Sequence, residues 1–372
     1  MKFSPFLLYI LSLPALAQTP HIAPANNPPH LTPLAFSTGG RVLATPASDT
    51  RFGAHALTYQ WPGTYFEAAF SGTAVDFSTG SGHEILHITV DHGSPTPLVK
   101  PAPGAYAVTG LVAGPHSIRI DVVTESQAGP DTFLGFALPP GEKPLAPPHR
   151  LRQIEFIGDS HTVGYGNTSP TRTCTEDQVW ATTDSSQAFG ALVARHYDAD
   201  FQINAISGHG IVRNYNGSPG DPVPVAYPWV LFDHKQIYGD SNWHPEVIVI
   251  ALGTNDFTTP LNPGEKWKNR GALHADYEAT YLRFLEMLRA ENPCAYFIVW
   301  ATNMANGEIE SEESKVVDQW KAKGETRVTF LPIDNLSFTA CNFHPSLADD
   351  RTIATDIEKD IDAVPSLWSL SH

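Results

Sequence analysis

The first third of the chain alternates apolar and polar residues over short runs. One run covers positions 85–90 and closes at Asp91-His92-Gly93, and positions 118–122 read Ile-Arg-Ile-Asp-Val. Runs of this period, interrupted by Gly, Pro and Asp, are typical of antiparallel strands with one buried face. We therefore predict an all-β sandwich of jelly-roll type over residues 38–138.

The pattern changes after about position 150, where fully apolar runs are separated by segments with helical spacing. One such segment places Tyr277, Tyr281, Leu285 and Leu288 on a single face. Strands that are apolar on both faces and alternate with helices predict an α/β domain over residues 151–372, with a parallel sheet covered on both sides. The predicted strands lie at 154–157, 201–206, 247–252, 297–300 and 328–331.

Three further segments complete the predicted organisation. A basic start, a short apolar run and Ala15-Leu16-Ala17 predict a signal peptide over 1–17, and hence an extracellular or periplasmic protein. The apolar run is too short to span a bilayer, so no membrane association is expected. Residues 18–37 are rich in proline and predict a flexible leader, and the proline-rich stretch 139–150 predicts a linker.

Charge and cysteine content narrow the function classes. The net charge of −16 has no basic cluster set against it, which argues against nucleic acid as a partner and favours a neutral substrate. Cys174 and Cys341 are both expected in loops near one edge of the sheet, so we predict a disulfide between them. Cys294 precedes an apolar strand and is expected to be a buried, unreactive thiol. We find no spacing typical of metal ligands and expect neither a metal nor a cofactor.

Candidate chemistry lies at the ends of successive predicted strands, where parallel α/β sheets place their sites. Gly158-Asp159-Ser160 follows the first strand, Gly208 the second and Gly253-Thr254-Asn255-Asp256 the third, while His344-Pro345 comes late in the chain. Ser160 is the candidate nucleophile and His344 the candidate base. The backbone amides of Ser160 and Gly208 and the side chain of Asn255 are candidate donors to an oxyanion. Taken alone, each of these residues is more typical of a cap, a turn or a solvated loop.

In this order the motifs resemble those of the GDSL/SGNH hydrolase superfamily. Residues ahead of them, including Gly40-Arg41 and Trp61-Pro62-Gly63, resemble the N-terminal domain of carbohydrate esterase family 2, and the likeness covers roughly residues 38 to 365. The resemblance implies a flavodoxin-like SGNH hydrolase domain behind the sandwich. It also implies removal of O-acetyl groups from plant polysaccharide, xylan or glucomannan, through a serine-linked acyl-enzyme, by a protein expected to be monomeric.

The resemblance leaves the third member of a catalytic triad unassigned. Related enzymes carry Asp three or two residues before the base, and those positions here are Cys341 and Asn342. An amide cannot stabilise the imidazolium as an ionised Asp does. We therefore predict a Ser160–His344 dyad, oriented by Asn342 or by a backbone carbonyl, with Asp334 as a distant substitute.

Two other functions remain open at this stage. A lipase or thioesterase on the same fold would show activity that rises with acyl-chain length. A polysaccharide-binding protein with a decayed hydrolase domain would account for the absent Asp.

Overall fold

The computed structural model describes residues 20–25, 30–80, 82–125 and 129–369, so the predicted signal peptide lies outside the described residues. The described front part of the chain forms antiparallel strands in two sheets. The strands are β1 (His21–Pro24), β2 (Thr32–Leu34), β3 (Phe36–Gly39), β4 (Val42–Pro46), β5 (His55–Tyr59), β6 (Tyr65–Gly72), β7 (Val75–Thr79), β8 (Ile85–Val90), β9 (Thr96–Val99), β10 (Gly104–Thr109), β11 (Gly114–Val122), β12 (Asp131–Leu138) and β13 (Lys143–Pro144).

The two sheets bury their apolar faces against each other, as the alternation predicts. One has the order β1-β10-β7-β12-β5-β4 with β2 added on β12, and the other the order β13-β6-β11-β8-β9 with β3 added on β6. Phe66 and Ile120 from the second sheet share one core with Phe77, Phe133 and Phe136 from the first. The predicted sandwich is confirmed.

Two segments predicted to lack regular structure form strands where the structure describes them. Within 18–37, the expected flexible leader, β1 pairs with β10, β2 with β12 and the start of β3 with β6. Within 139–150, the expected linker, β13 pairs with β6. Main-chain hydrogen bonds to existing sheets order these segments, and β1, β2 and β13 accommodate proline at the sheet margins. Amino-acid composition does not reveal that a segment will pair with a distant strand.

The rear part is an α/β domain whose five strands are all parallel. Its sheet has the order β15-β14-β16-β17-β18, the 2-1-3-4-5 arrangement of flavodoxin-like folds. The strands are β14 (Arg152–Gly158), β15 (Ala199–Ala205), β16 (Val247–Ala251), β17 (Tyr296–Ala301) and β18 (Val328–Pro332). The helices are α1 (Ser160–Val163), α2 (Glu176–Thr182), α3 (Phe189–His196), α4 (Val223–Ala226), α5 (Thr254–Phe257), α6 (Arg270–Glu291), α7 (Glu308–Ala322) and α8 (Leu347–Asp362).

Helices cover both faces of this sheet. Helices α3 and α8 pack on one face around Phe156 and Trp300, whereas α6 and α7 pack on the other around Ile248 and Ile250. The predicted apolar face of α6 is fully buried. Because strand order reverses at β14, the end of that strand is the topological switch point at which such folds place a site. In the described part of the chain no helix has the length and apolar character needed to cross a membrane.

The residues that carry the front-domain resemblance lie where the two domains meet. The buried Arg41 guanidinium is 3.3 Å from the buried carboxylate of Glu155 on β14, and its centre lies 4.3 Å from the ring of Tyr227. The Trp61 indole donates to the backbone carbonyl of Trp229 at 3.1 Å. These contacts hold the sandwich against the sheet that carries the candidate site.

Candidate active site

Ser160 is the first residue of α1, directly after β14. Asp159 caps this one-turn helix, with its side chain accepting from the His161 backbone N–H at 3.0 Å. Burial raises the pKa of Asp159 to about 7. Asp159, and not Ser160, is therefore the N-cap, and it fixes the serine at the switch point.

His344 lies within hydrogen-bonding distance of Ser160. The Oγ of Ser160 and the Nε2 of His344 are 2.8 Å apart, and the Nδ1 of His344 is 2.9 Å from the carbonyl oxygen of Cys341. Because a carbonyl can only accept, Nδ1 carries the imidazole proton and Nε2 is left to accept the serine proton. This tautomer is the one that a general base requires.

The structure places a backbone carbonyl, and not the Asn342 side chain, at the imidazole Nδ1. The Asn342 side-chain amide lies 3.4 Å from the Tyr165 hydroxyl instead. Among the described residues no carboxylate is bonded to His344, and Asp334 is exposed. Burial lowers the pKa of His344 to about 4, with the Cys341 and Asn342 carbonyls opposing that shift. The imidazole of His344 is therefore neutral at physiological pH.

The turn that carries His344 is held from several sides. A disulfide joins Cys341 to Cys174, and the Asn342 N–H donates to the carbonyl of Arg172 at 2.7 Å. Asn342 and Phe343 both have left-handed backbone angles, with φ of 52° and 62°. Such angles are unfavourable for Phe and need external support. The disulfide partners are those that the sequence predicts.

A glycine allows this turn to approach α1 closely. A Cβ atom at Gly166, whose φ is +59°, would lie 2.5 Å from the Cβ of Cys341. His344 lies three residues before α8 begins at Leu347, and the start of that helix has a capping box formed by Ser346 and Asp349. His344 is thus fixed between a cross-linked turn and a capped helix.

The predicted oxyanion donors meet beside Ser160. In the described part of the chain, the backbone N–H groups of Ser160 and Gly208 donate to no protein acceptor, and both residues line the same cavity. The Asn255 side-chain amide donates to Asp159 at 3.1 Å and to the His209 carbonyl at 2.8 Å. Both amide hydrogens of Asn255 therefore have protein partners, and an oxyanion would share one of them.

Buried carboxyl groups brace the loops that carry these donors. Asp256 accepts from the backbone N–H groups of three successive loop residues, Ile211, Val212 and Arg213, each at 2.9 Å. Burial raises the pKa of Asp256 to about 6. Sequence reasoning missed Glu313 on α7, which lies beneath the next loop. A Cβ atom at Gly253 would be 3.1 Å from its Oε1 and 2.9 Å from the Tyr277 hydroxyl, so this position must be glycine.

A cavity of about 470 Å³ opens over the Ser160–His344 pair. Tyr165 forms part of its wall, with its ring centre 4.3 Å from that of His344. Phe343 and Tyr215 also line the cavity and are 60% and 54% exposed. Tyr165 could have been noticed from its place between two glycines. A backbone carbonyl was one of the two predicted partners of the imidazole, but its source at Cys341 could not be identified because sequence patterns report side chains.

A second cavity, of about 530 Å³, lies at the opposite end of the parallel sheet, near the starts of β14, β16 and β17. Cys294 lines it and is exposed, so the prediction of a buried thiol is wrong. The turn before β17 leaves this residue outside the core. Among the described residues no cluster of His, Cys, Asp or Glu is arranged to hold a metal ion.

Comparison with protein families matches both parts of the chain. The family model for the carbohydrate esterase 2 N-terminal domain matches residues 50–148, and that for the GDSL-like lipase/acylhydrolase family matches residues 156–352. An acetylxylan esterase/glucomannan deacetylase from Cellvibrio japonicus is 45% identical over 338 residues, which cover 90% of this chain and 93% of the relative.

Two solved carbohydrate esterases share the architecture of this chain. One, a carbohydrate esterase with divergent catalytic and non-catalytic binding functions at its active site, is 44% identical with a TM-score of 0.85, and the match covers 91% of this chain and all of the other. A family two carbohydrate esterase from Clostridium thermocellum in complex with cellohexaose is 28% identical with a TM-score of 0.75, and the match covers 88% and 98% of the two chains.

Proposed function

Because the chain belongs to carbohydrate esterase family 2 and is a carboxylic ester hydrolase, we propose that it removes O-acetyl groups from plant polysaccharide through a Ser160-linked acyl-enzyme. The observation that carries this proposal is the 2.8 Å contact between Ser160 Oγ and His344 Nε2 beneath an open cavity. Acetyl as the acyl group is supported by the relative named acetylxylan esterase/glucomannan deacetylase.

In the first half of the reaction, Ser160 attacks the ester carbonyl while His344 takes the hydroxyl proton. The oxyanion receives hydrogen bonds from the backbone N–H groups of Ser160 and Gly208. The Asn255 side-chain amide adds a third when one of its hydrogens is shared between the oxyanion and its present protein acceptor. Each such donor lowers the barrier by about 3 kcal/mol in other hydrolases. His344 then returns the proton to the leaving sugar oxygen, and water releases acetate by the reverse sequence.

The cavity suits a neutral carbohydrate. The exposed rings of Phe343 and Tyr215 provide apolar surfaces with polar edges on which a sugar can pack. The chain's net charge of −16 disfavours polyanions. We further propose that the protein is secreted, which its N-terminal pattern and its disulfide support.

The test compares acetate release from acetylated xylan and glucomannan, and from 4-nitrophenyl esters of increasing chain length, for the parent and Ser160→Ala. We expect release from at least one polymer, a preference for acetyl over longer chains, and loss of both in the variant. Activity that rises with chain length and spares the polymers would instead indicate a lipase or thioesterase.

A further inference from the structure

His161 is a buried polar side chain whose two ring nitrogens have no hydrogen-bond partner among the described residues. The residue is 4% exposed and follows Ser160 directly on α1. Its backbone N–H donates to Asp159, but within the described residues its two ring nitrogens make no hydrogen bond. Polar groups buried in proteins almost always have a partner, because burying them unpaired is unfavourable.

The ring nitrogens have access to the catalytic cavity. His161 lines that cavity. Neither of its ring nitrogens is fully enclosed by the described residues. A ligand in the cavity can therefore supply the hydrogen bond that the protein does not. The backbone that carries His161 is held in place, because α1 is capped by Asp159 and directly follows β14.

Packing alone does not explain a histidine at this position. The ring contacts Phe338, with centroids 5.8 Å apart, and His344, with centroids 5.5 Å apart and the planes nearly perpendicular. These are contacts that an apolar ring or an aliphatic side chain could also make. The imidazole is therefore not required by the packing around it.

The protonation state of His161 defines the chemistry that it can recognise. Burial, together with repulsion from His344, lowers its pKa to about 3, so the ring is neutral at the pH at which the esterase works. A neutral imidazole offers one N–H donor and one nitrogen acceptor. Sugar hydroxyl groups are likewise both donors and acceptors, whereas a carboxylate or a cation would meet no opposite charge here.

The neighbours of His161 indicate which part of the substrate it meets. Both ring contacts are with the segment that carries the base, and the base returns its proton to the leaving sugar oxygen. We propose that His161 hydrogen-bonds a free hydroxyl of the sugar that bears the scissile acetyl group, and so makes the enzyme selective for carbohydrate esters. This inference rests on the proposed function.

The experiment measures kcat/KM for His161→Leu on two substrates, an acetylated xylo-oligosaccharide and 4-nitrophenyl acetate, whose leaving group has no sugar hydroxyl. We expect a loss of about 10- to 100-fold on the oligosaccharide and a change of less than about threefold on 4-nitrophenyl acetate. His161→Asn, which keeps a donor and an acceptor, should recover part of the loss. His196→Leu, at a half-exposed histidine on α3, serves as the matched control and should change neither value.

Equal losses on the two substrates would assign His161 a structural role, and no loss on either would remove it from the site; both outcomes overturn the inference. Thermal unfolding of each variant identifies a folding defect, in which case His161→Asn on the same substrate pair decides. If the parent releases no acetate from the oligosaccharide, or Ser160→Ala retains the release, the proposed function fails and the inference falls with it.

Discussion

The candidate base His344 is supported by a backbone carbonyl at the position where a catalytic triad has a carboxylate. The Cys341 carbonyl fixes the tautomer of His344 at 2.9 Å but carries no full charge with which to stabilise the imidazolium. With no carboxylate on Nδ1 to oppose burial, the pKa of His344 falls to about 4. The carbonyl thus orients the imidazole without stabilising its positive charge, whereas an Asp would do both.

This arrangement predicts that activity declines only at an unusually low pH. The base must be neutral, and burial favours the neutral form, so kcat/KM on 4-nitrophenyl acetate should fall only as the pH drops through about 4. Tryptophan fluorescence at each pH separates this limb from acid unfolding. An acid limb near 6.5, the ordinary value for histidine, would contradict the burial argument.

A second prediction concerns Asn342. Its side chain lies against Tyr165 and not against the imidazole, and its left-handed backbone suits glycine. Asn342→Gly should therefore change kcat for 4-nitrophenyl acetate by less than about threefold. A loss as large as that of His344→Ala would show that the Asn342 amide does orient the base.

The motifs predicted the side chains of the candidate site and a backbone carbonyl as one of two alternative supports for the imidazole, but not which residue supplies that carbonyl. Ser160, Gly208, Asn255 and His344 follow from motif order at strand ends. The carbonyl behind His344 arises from a left-handed turn at positions where glycine is absent, so no sequence signal marks it. Glu313 was equally hidden, since a glutamate on an otherwise amphipathic helix is typical of the solvated face.

At the scale of elements, the turn 341–344 and the segment 169–175 act as one unit. Cys174 and Cys341 join them, and Arg172 donates to the carbonyls of Ser337 and Phe338 at 2.7 Å. The disulfide therefore supports the same residue whose carbonyl holds the base. The free thiol of Cys294 lies in the cavity at the opposite end of the sheet.

We predict that removing this cross-link affects both stability and turnover. The Cys174→Ser/Cys341→Ser double variant should lose about 2–5 kcal/mol of unfolding free energy, and its kcat should fall more than its KM rises because the base is less well oriented. Denaturant unfolding and steady-state kinetics provide the two readouts. Cys294→Ser is the matched control and should match the parent in both. An unchanged kcat in the double variant would show that the turn holds its shape without the disulfide.

The period of the hydrophobic pattern predicted the architecture of both domains and the five strands of the parallel sheet. Each of the five predicted parallel strands is present, and the alternating runs became β8 and β11. The edge strands β1, β2 and β13 were not predicted, because they are stabilised by pairing with distant strands and carry little apolar surface of their own. Such order depends on tertiary context that a local pattern does not contain.

At the scale of the whole molecule, several carboxyl groups are buried. Burial raises the pKa of Glu84 to about 8 and that of Asp350 to about 8, and raises the pKa of Glu313 as well. Glu84 lies in the sandwich, where its Oε1 accepts from the Tyr59 hydroxyl at 2.6 Å and its Oε2 has no hydrogen-bond partner in the described structure. The acidic net charge adds repulsion as the pH rises.

These groups predict that stability decreases from about pH 5 to pH 8 and then levels off. Their unfolded-state pKa values are near 4, so below that pH both states are protonated. Above it only the folded state keeps the protons, and the stabilisation is lost progressively until the pH passes the folded-state value of about 8. Thermal unfolding at a series of pH values measures the trend. Glu84→Gln keeps the acceptor for Tyr59 and removes the titration, so its curve should be flatter. Stability that increases over this window in the parent would contradict the assignment.

The central claim is that Ser160, activated by His344, forms the acyl-enzyme, and active-site labelling with an organophosphate followed by peptide mapping tests it most directly. The account predicts stoichiometric phosphorylation of Ser160 with parallel loss of esterase activity, and labelling that is strongly slowed in His344→Ala. Full activity in a protein whose Ser160 is phosphorylated, or inactivation through a label on another residue, would contradict it.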